Sequence, residues 1–449
     1  MESKLASYQN AINNKDIKII KKLNNKYLKK KRKEILYELY ERRRLDYKSL
    51  KNIISISLKE PTTFKITSKF IGVIIKKKDI RTLKLIFNKY RYKNDLIKVL
   101  LYKYKYKQAL SNSELKKHYD KEINYIKLNG IINKNFETPL FQALRTKNIN
   151  IVKLLIENGA DINKVNKYGD TPLFRACLYN KENIVKLLIE NGAEINKENK
   201  DGDTPLINAC EEYNKDIAEL LIENGADVNK ENENGDTALI KSCFHYNENI
   251  VKLLIENGAD VNKENKNGDT PLIKACERKY NENIVKLLIE NGAEVNKENK
   301  DGDTPLIKAS GEYNKNIVKL LIENGADINK ENKYGDTPLI YSYNNYFIDI
   351  AKLLIENGAD VNKENKNGDT PLIYSCNHYY KDIAELLIEN GADVNKENKD
   401  GDTPLIKACE KKYNGNIVKL LIENGADVNK ENKDGNTPLI KACEIIIQI

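Results

Sequence analysis

The 449-residue chain has no tryptophan, one methionine and only three histidines. It contains no run of about 18 apolar residues, so no transmembrane segment is expected. The opening Met1–Asn10 lacks the apolar stretch of a secretory signal. The expectation is a soluble intracellular protein, cytoplasmic, with the nucleus as the alternative. There is no Gly-rich phosphate loop with lysine, no Gly-x-Ser-x-Gly and no His-Glu-x-x-His, and no catalytic residue stands out. Hydrophobic residues make up 40% of the chain, enough for a core, which argues against wholesale disorder.

The scarce residues are also unevenly placed. Before residue 159 the only glycines are Gly72 and Gly130, and Pro61 is the only proline before Pro139. The seven cysteines fall at 177, 210, 243, 276, 376, 409 and 443, in step with the prolines, which marks an internal repeat. The net charge of +10 hides a division: residues 1–134 hold 36 Lys+Arg against 12 Asp+Glu, a balance of +24. Residues 135–449 hold 40 against 54, a balance of −14, so a boundary between a basic helical module and the repeats is expected near residue 134.

The repeat is anchored by Thr138, Thr171, Thr204, Thr237, Thr270, Thr304, Thr337, Thr370, Thr403 and Thr437, spaced by 33 or 34 residues. One unit runs Gly202-Asp203-Thr204-Pro205-Leu206, then Ala209-Cys210, then Ile217 to Asn229. Thr-Pro predicts a helix start, with threonine capping free amides and proline in the first turn. Asp203 adds negative charge at that positive end. Ala209 and Cys210 are small enough for a neighbouring helix to approach. Ile217, Leu220 and Leu221 predict the buried face of a second helix, which Asn224-Gly225 ends. Lys230 to Gly235 predicts an exposed turn.

These residues resemble the ankyrin repeat, with its Gly-x-Thr-Pro-Leu start, small pair, Leu-Leu and Gly-Ala. The resemblance covers residues 135–449 and recurs ten times, as nine full units and a truncated tenth. It implies a mainly α fold: two antiparallel helices and a hairpin finger per unit, stacked into a solenoid. It further implies a non-catalytic scaffold that binds a protein partner on its fingers and concave groove. Two departures recur. The family's histidine is replaced by Phe141, Phe174 or, from Ile207 onward, isoleucine. Its glycine between the helices is replaced by a Tyr-Asn pair such as Tyr213-Asn214 or Tyr313-Asn314.

No cofactor or metal site is expected. His245 and His378 occupy the same position four repeats apart, on the order of 40 Å at about 10 Å per repeat, and cannot share a ligand. Cysteines one repeat apart are too distant for disulfides, so small buried thiols are expected. Glu198–Asp203 imitates a calcium loop, but Lys197 and Asn208 stand where ligands one and twelve belong.

The basic module contains Lys15-Asp16-Ile17 and Lys78-Asp79-Ile80, each aligning with the start of the second helix at Lys147-Asn148-Ile149; both are read as degenerate helical pairs extending and capping the solenoid. Its run Lys29-Lys30-Lys31-Arg32-Lys33 reads as a nuclear-import signal, a nucleic-acid or anionic-membrane patch, or a solvated helix face. Tyr102, Tyr104 and Tyr106, alternating with lysines, could stack bases but would not share one face of a helix. The alternative function is therefore a nucleic-acid- or chromatin-associated adaptor using residues 1–134.

Positions that vary between repeats are free of scaffold duty and are the candidates for partner binding. They are the residue before the turn glycine, the fourth residue after threonine, and the end of the first helix. The candidates are Tyr168, Arg175, Phe244, His245, Arg278, Tyr334, Tyr341, Tyr374 and His378. Tyr334, Tyr341 and Tyr374 break the periodicity in adjacent repeats, as interface anchors do. The recurrent tyrosine of the Tyr-Asn turn is periodic and is read as structural. Tyr343 occupies a small-residue position and should overpack the stack or force a local shift. The last unit ends Glu444-Ile445-Ile446-Ile447-Gln448-Ile449; this cluster either folds back over the ninth unit or makes a homotypic contact.

Zinc, calcium and nucleotides are expected to leave the melting temperature unchanged. A bound ligand at 100 times its dissociation constant adds about 2.7 kcal/mol, so a clear shift in thermal denaturation with any of them would expose a missed site.

Overall fold

The computed structural model describes residues 2–27, 46–59, 68–77, 79–86, 133–146, 148–312, 314–343, 347–412 and 414–447. Among these, every regular element is a helix. They form two compact units, Met1–Ala226 and Asp227–Ile449; the compositional boundary near residue 134 falls within the first. The basic run Lys29–Lys33, the alternating Tyr102–Lys107 and Tyr313 lie outside the described residues.

In the first unit, helices Glu2–Asn13 and Ile17–Tyr27 pack together across a turn in which Lys15 adopts φ 54°. Asp16 starts the second of these by accepting from the Ile19 amide at 3.0 Å. Asp79 does the same for Thr82 at 3.0 Å, ahead of a helical stretch at 80–86. Both aligned Lys-Asp-Ile segments thus begin helices by the same carboxylate cap. Helix Ser68–Lys76 packs directly on Pro139–Leu144, the first helix of the first repeat, and buries Phe70, Ile71 and Ile74.

Each repeat is built as its sequence demands. Thr204 Oγ1 accepts from the Ile207 amide at 3.2 Å and starts helix Pro205–Glu211. The equivalent cap recurs from Thr171 to Thr437 at 3.1–3.4 Å, whereas Thr138 makes none. The second helix, Lys215–Glu223, buries Ile217, Ala218 and Leu221; Leu220 is only partly covered. Asn224 Nδ2 donates to the Leu220 carbonyl at 2.8 Å, and the Ala226 amide donates to the Leu221 carbonyl at 2.9 Å across Gly225. These bonds satisfy the carbonyls that a helix end leaves open.

The expected hairpin fingers are tight turns, with no strand among the described residues. In one, the Asn199 amide donates to Asp203 O at 3.0 Å. Neighbouring fingers share one backbone bond, such as Lys200 N to Tyr168 O at 2.9 Å. This closeness explains the turn glycine. At Gly335, φ is +79° and a Cβ would sit 2.5 Å from the Lys366 amide nitrogen.

Asparagines join repeat to repeat. Asn262 Nδ2 donates to Gly292 O at 2.9 Å while its Oδ1 accepts from the Glu294 amide at 2.8 Å. The same two-way contact recurs at Asn229, Asn296, Asn329, Asn362 and Asn395. Lys–Glu pairs run alongside, for example Lys330–Glu298 at 2.7 Å, but these are exposed and solvent screens them.

Three expectations change. In the Tyr-Asn turns it is the asparagine that is buried and structural: Asn281 Nδ2 donates to Cys243 O at 2.7 Å, and Asn414 does so to Cys376 O at 2.6 Å. The tyrosines instead face solvent with positive φ, Tyr280 at 67° and 86% exposed. Second, Tyr343 is accommodated without exposure. It is fully buried, and the preceding packed helix, Pro305–Ser310, ends in the small Ser310 and Gly311; the Tyr343 hydroxyl has no hydrogen-bond partner. Third, the thiols are not uniformly buried: Cys409 is partly covered and Cys443 exposed. Burial pushes the Cys376 thiol up to about 12 and that of Cys409 to about 11, so both stay protonated.

The last helix runs through Pro438–Ile447, with Leu439 and Ile440 exposed. The side chains of Ile445 to Ile449, on which fold-back or homotypic contact depends, lie outside the described ones.

A left-handed conformation costs a non-glycine residue about 1–2 kcal/mol, and Tyr280 recovers little of it through burial. Tyr280→Gly is therefore expected to raise the free energy of unfolding by about 0.5–1 kcal/mol in urea denaturation, discounted for the freer unfolded chain. A loss of stability would show that the exposed ring contributes to the stack.

Candidate protein-interaction site

From the second repeat to the ninth, an aspartate precedes the helix-starting threonine, and these aspartates form a polar ladder. In the sixth repeat, Asp303 Oδ1 accepts from Asn332 of the next repeat at 2.9 Å. Its Oδ2 pairs with Lys308 of the same repeat, also at 2.9 Å. Equivalent cations pair with Asp170, Asp236, Asp269 and Asp402, through Arg175, Lys241, Lys274 and Lys407. The aspartate thus does more than meet the helix dipole: it binds the next repeat's turn and neutralises a lysine that projects from the first helix.

The sequence candidates fall into three places on this ladder. In the first unit, Arg175 pairs with Asp170 at 2.9 Å, and its guanidinium lies 5.9 Å from the Tyr168 ring centre. In the second unit, the Arg278 guanidinium lies 3.6 Å over the Phe244 ring, while His245 meets that ring edge-on at 5.3 Å. A cation–π contact this close steadies the arginine at a partly exposed helix end.

The third place joins the seventh and eighth repeats. Tyr374 stacks on His378 with ring centres 4.4 Å apart, and His378 stacks in turn on Tyr380 at 5.8 Å. Burial, with Lys411 nearby, lowers the His378 pKa and favours the neutral ring. Tyr334 is 63% exposed at the finger tip. Tyr341 is half-buried. A Cβ on Gly311 would lie 2.7 Å from its ring, so that glycine makes the room Tyr341 occupies. Tyr334, Asp336, Asp369 and Tyr374 border one recess, while Phe244, Arg278 and Tyr341 border another. The partners missed by sequence reasoning are Asp336, Asp369, Tyr380 and Gly311; the signal for the first two was a lysine absent from two consecutive repeats.

Among the described residues no three His, Cys, Asp or Glu side chains converge as a metal site, and no helix is long and apolar enough to cross a membrane.

Burial raises the Asp336 pKa above its usual value; Asp303 and Asp369 add to this and the hydrogen bond from Asn365 opposes it. The folded chain therefore holds this proton more tightly than the unfolded chain. Stability contributed by the group falls as pH rises from about 4, the ordinary aspartate value, through the raised one. Asp336→Asn is expected to increase the melting temperature at pH 7 and to leave it unchanged at pH 3. A lower melting temperature at pH 7 would refute this reading.

The family model for ankyrin repeats (3 copies) matches residues 90–199, 191–265, 243–332, 312–398 and 392–445. The crystal structure of the human ASB11 ankyrin repeat domain is similar at 27% identity, covering 50% of this chain and 99% of its own, with a TM-score of 0.46. No curated protein matches the chain. With family matches running from residue 90 to residue 445 over the helix pairs and turns described above, the chain belongs to the ankyrin repeat family.

Proposed function

We propose that this chain is a non-catalytic adaptor that binds a protein partner on its finger turns and first-helix ends. Ankyrin repeats generally mediate protein–protein interaction, and the geometry supports that role here. The observation that carries the reading is a separation of duties: threonine caps, turn asparagines and Gly-Ala ends are consumed by the stack. Among the side chains that vary, Arg278 lies over Phe244 and Tyr374 stacks on His378 at first-helix ends, while Tyr334 stands at a finger tip bordering the same recess as Tyr374. Aromatic and arginine side chains held in place by their neighbours are the usual carriers of interface energy.

The second reading, an adaptor that grips phosphates through residues 1–134, draws on the +24 balance of that segment. Salt separates the two, because phosphate contacts weaken with log-log slope near −0.9 for each contact on duplex DNA. Partners cross-linked to the full chain in cells and identified by mass spectrometry supply the test. Phe244→Ala with Arg278→Ala is expected to weaken the purified complex by tenfold or more, about 1.4 kcal/mol, with melting unchanged. Binding that survives these changes and Tyr374→Ala, but vanishes when Lys29–Lys33 are neutralised, would favour the second reading.

A further inference from the structure

The aspartate ladder loses its cations in two consecutive repeats. At the fourth residue after threonine, where Lys274, Lys308 and Lys407 supply the positive charge, the seventh and eighth repeats carry Tyr341 and Tyr374. The aspartates themselves are retained. Asp336 still accepts from Asn365 at 3.2 Å and Asp369 from Asn398 at 2.8 Å. Among the described residues, no cation lies within ion-pair distance of either carboxylate, although both are half-buried. Burial, with Asp303 and Asp369 nearby, raises the proton affinity of Asp336. The third repeat also lacks the lysine, but there Asn208 fills the position with a buried amide.

A recess of about 670 Å³ opens over this interruption, and its walls include Tyr334, Asp336, Asp369 and Tyr374. Of the two lysines on its rim, Lys407 is already held by Asp402 at 2.7 Å and by Glu410 at 3.4 Å; Lys366 belongs to the exposed finger. Stacking on His378 fixes the Tyr374 ring. The occupant that matches acidic groups at the base and aromatic faces on the wall is a planar cation. A guanidinium forks onto carboxylates and lies flat on tyrosine, which an ammonium does less well.

We infer that this recess receives an arginine side chain of the protein partner, which supplies the positive charge that most other repeats supply from within the chain. The inference rests on the interaction reading above and names what that surface selects.

Random dodecapeptides displayed on phage and panned against the full chain provide the test. Selected peptides are expected to share an arginine whose replacement by citrulline weakens binding at least tenfold in fluorescence polarisation. Asp369→Asn and Asp336→Asn should each cost a similar factor, and Tyr374→Lys, which restores the internal cation, should abolish binding. Asp269→Asn, at a ladder position where Lys274 is present, should change affinity less than twofold. The asparagine variants keep the acceptor oxygen that the neighbouring asparagine uses, and unchanged or raised melting temperatures would separate lost binding from lost folding. Peptides that bind without arginine, or that ignore the two aspartate variants, would overturn the inference and leave the interaction reading standing. Failure of any peptide to enrich on the chain would count against both.

Discussion

The side-chain amide of the turn asparagine is the contact on which the stacking of these repeats depends. Asn299 accepts from the amides of Asp301 and Asp303, each at 3.0 Å, which closes its own turn. Its Nδ2 then donates to Asp269 of the preceding repeat at 2.8 Å. One buried residue thus shapes a finger and registers it against its neighbour. Leaving such an amide unpaired would cost about 1–3 kcal/mol, so the network is satisfied throughout or not tolerated. Because the aspartate's second oxygen takes a lysine from the first helix, the same network also sets the charge of the face beside the fingers. A substitution at that lysine alters the surface while the turn stays intact.

The region around the seventh repeat shows how a departure is absorbed. Two large rings enter here: Tyr341, at a position most repeats fill with a lysine, arginine or amide, and Tyr343, where the other repeats carry cysteine, serine or leucine. The preceding repeat answers with Ser310 and Gly311, and the glycine lies against Tyr341. The fit is incomplete, because the Tyr343 hydroxyl is buried without a partner. Matched changes in neighbouring repeats, with a residual polar cost, set this region apart from the uniform stack. It adjoins the two aspartates that lack their cations, so packing and charge depart from the repeat pattern in the same place.

The tyrosines of the inter-helix turns make a separate point about periodicity. A residue that recurs at a fixed position need not be buried. Tyr246, Tyr280 and Tyr379 recur at the same turn, yet all are exposed and all hold left-handed backbone. Beside Tyr280 it is the asparagine that ties the turn to the stack, since the Asn281 amide reaches the Cys243 carbonyl of the preceding repeat, whereas Tyr379 is followed by Tyr380 and the Asn247 amide beside Tyr246 has no partner. Glycine would suit the conformation better, so these rings are tolerated by the fold and are not required by it.

The sequence alone determined the repeat length, the helix starts and ends, the apolar faces and the family, because each follows from local chemistry: a capping hydroxyl, a proline in the first turn, a glycine with positive φ. It also marked Tyr334, Tyr341 and Tyr374 as exceptions, since repeats within one chain can be compared with each other. Only the tertiary structure decided what those exceptions do. That Asp269 serves the following repeat's Asn299 and that Gly311 makes room for Tyr341 are contacts between repeats. Spacing along the chain cannot reveal them, because they depend on how one helix pair is set against the next. The missing cations at Asp336 and Asp369 were visible as residue types, but their meaning required knowing that Asp170, Asp236, Asp269, Asp303 and Asp402 each have a lysine or arginine within reach.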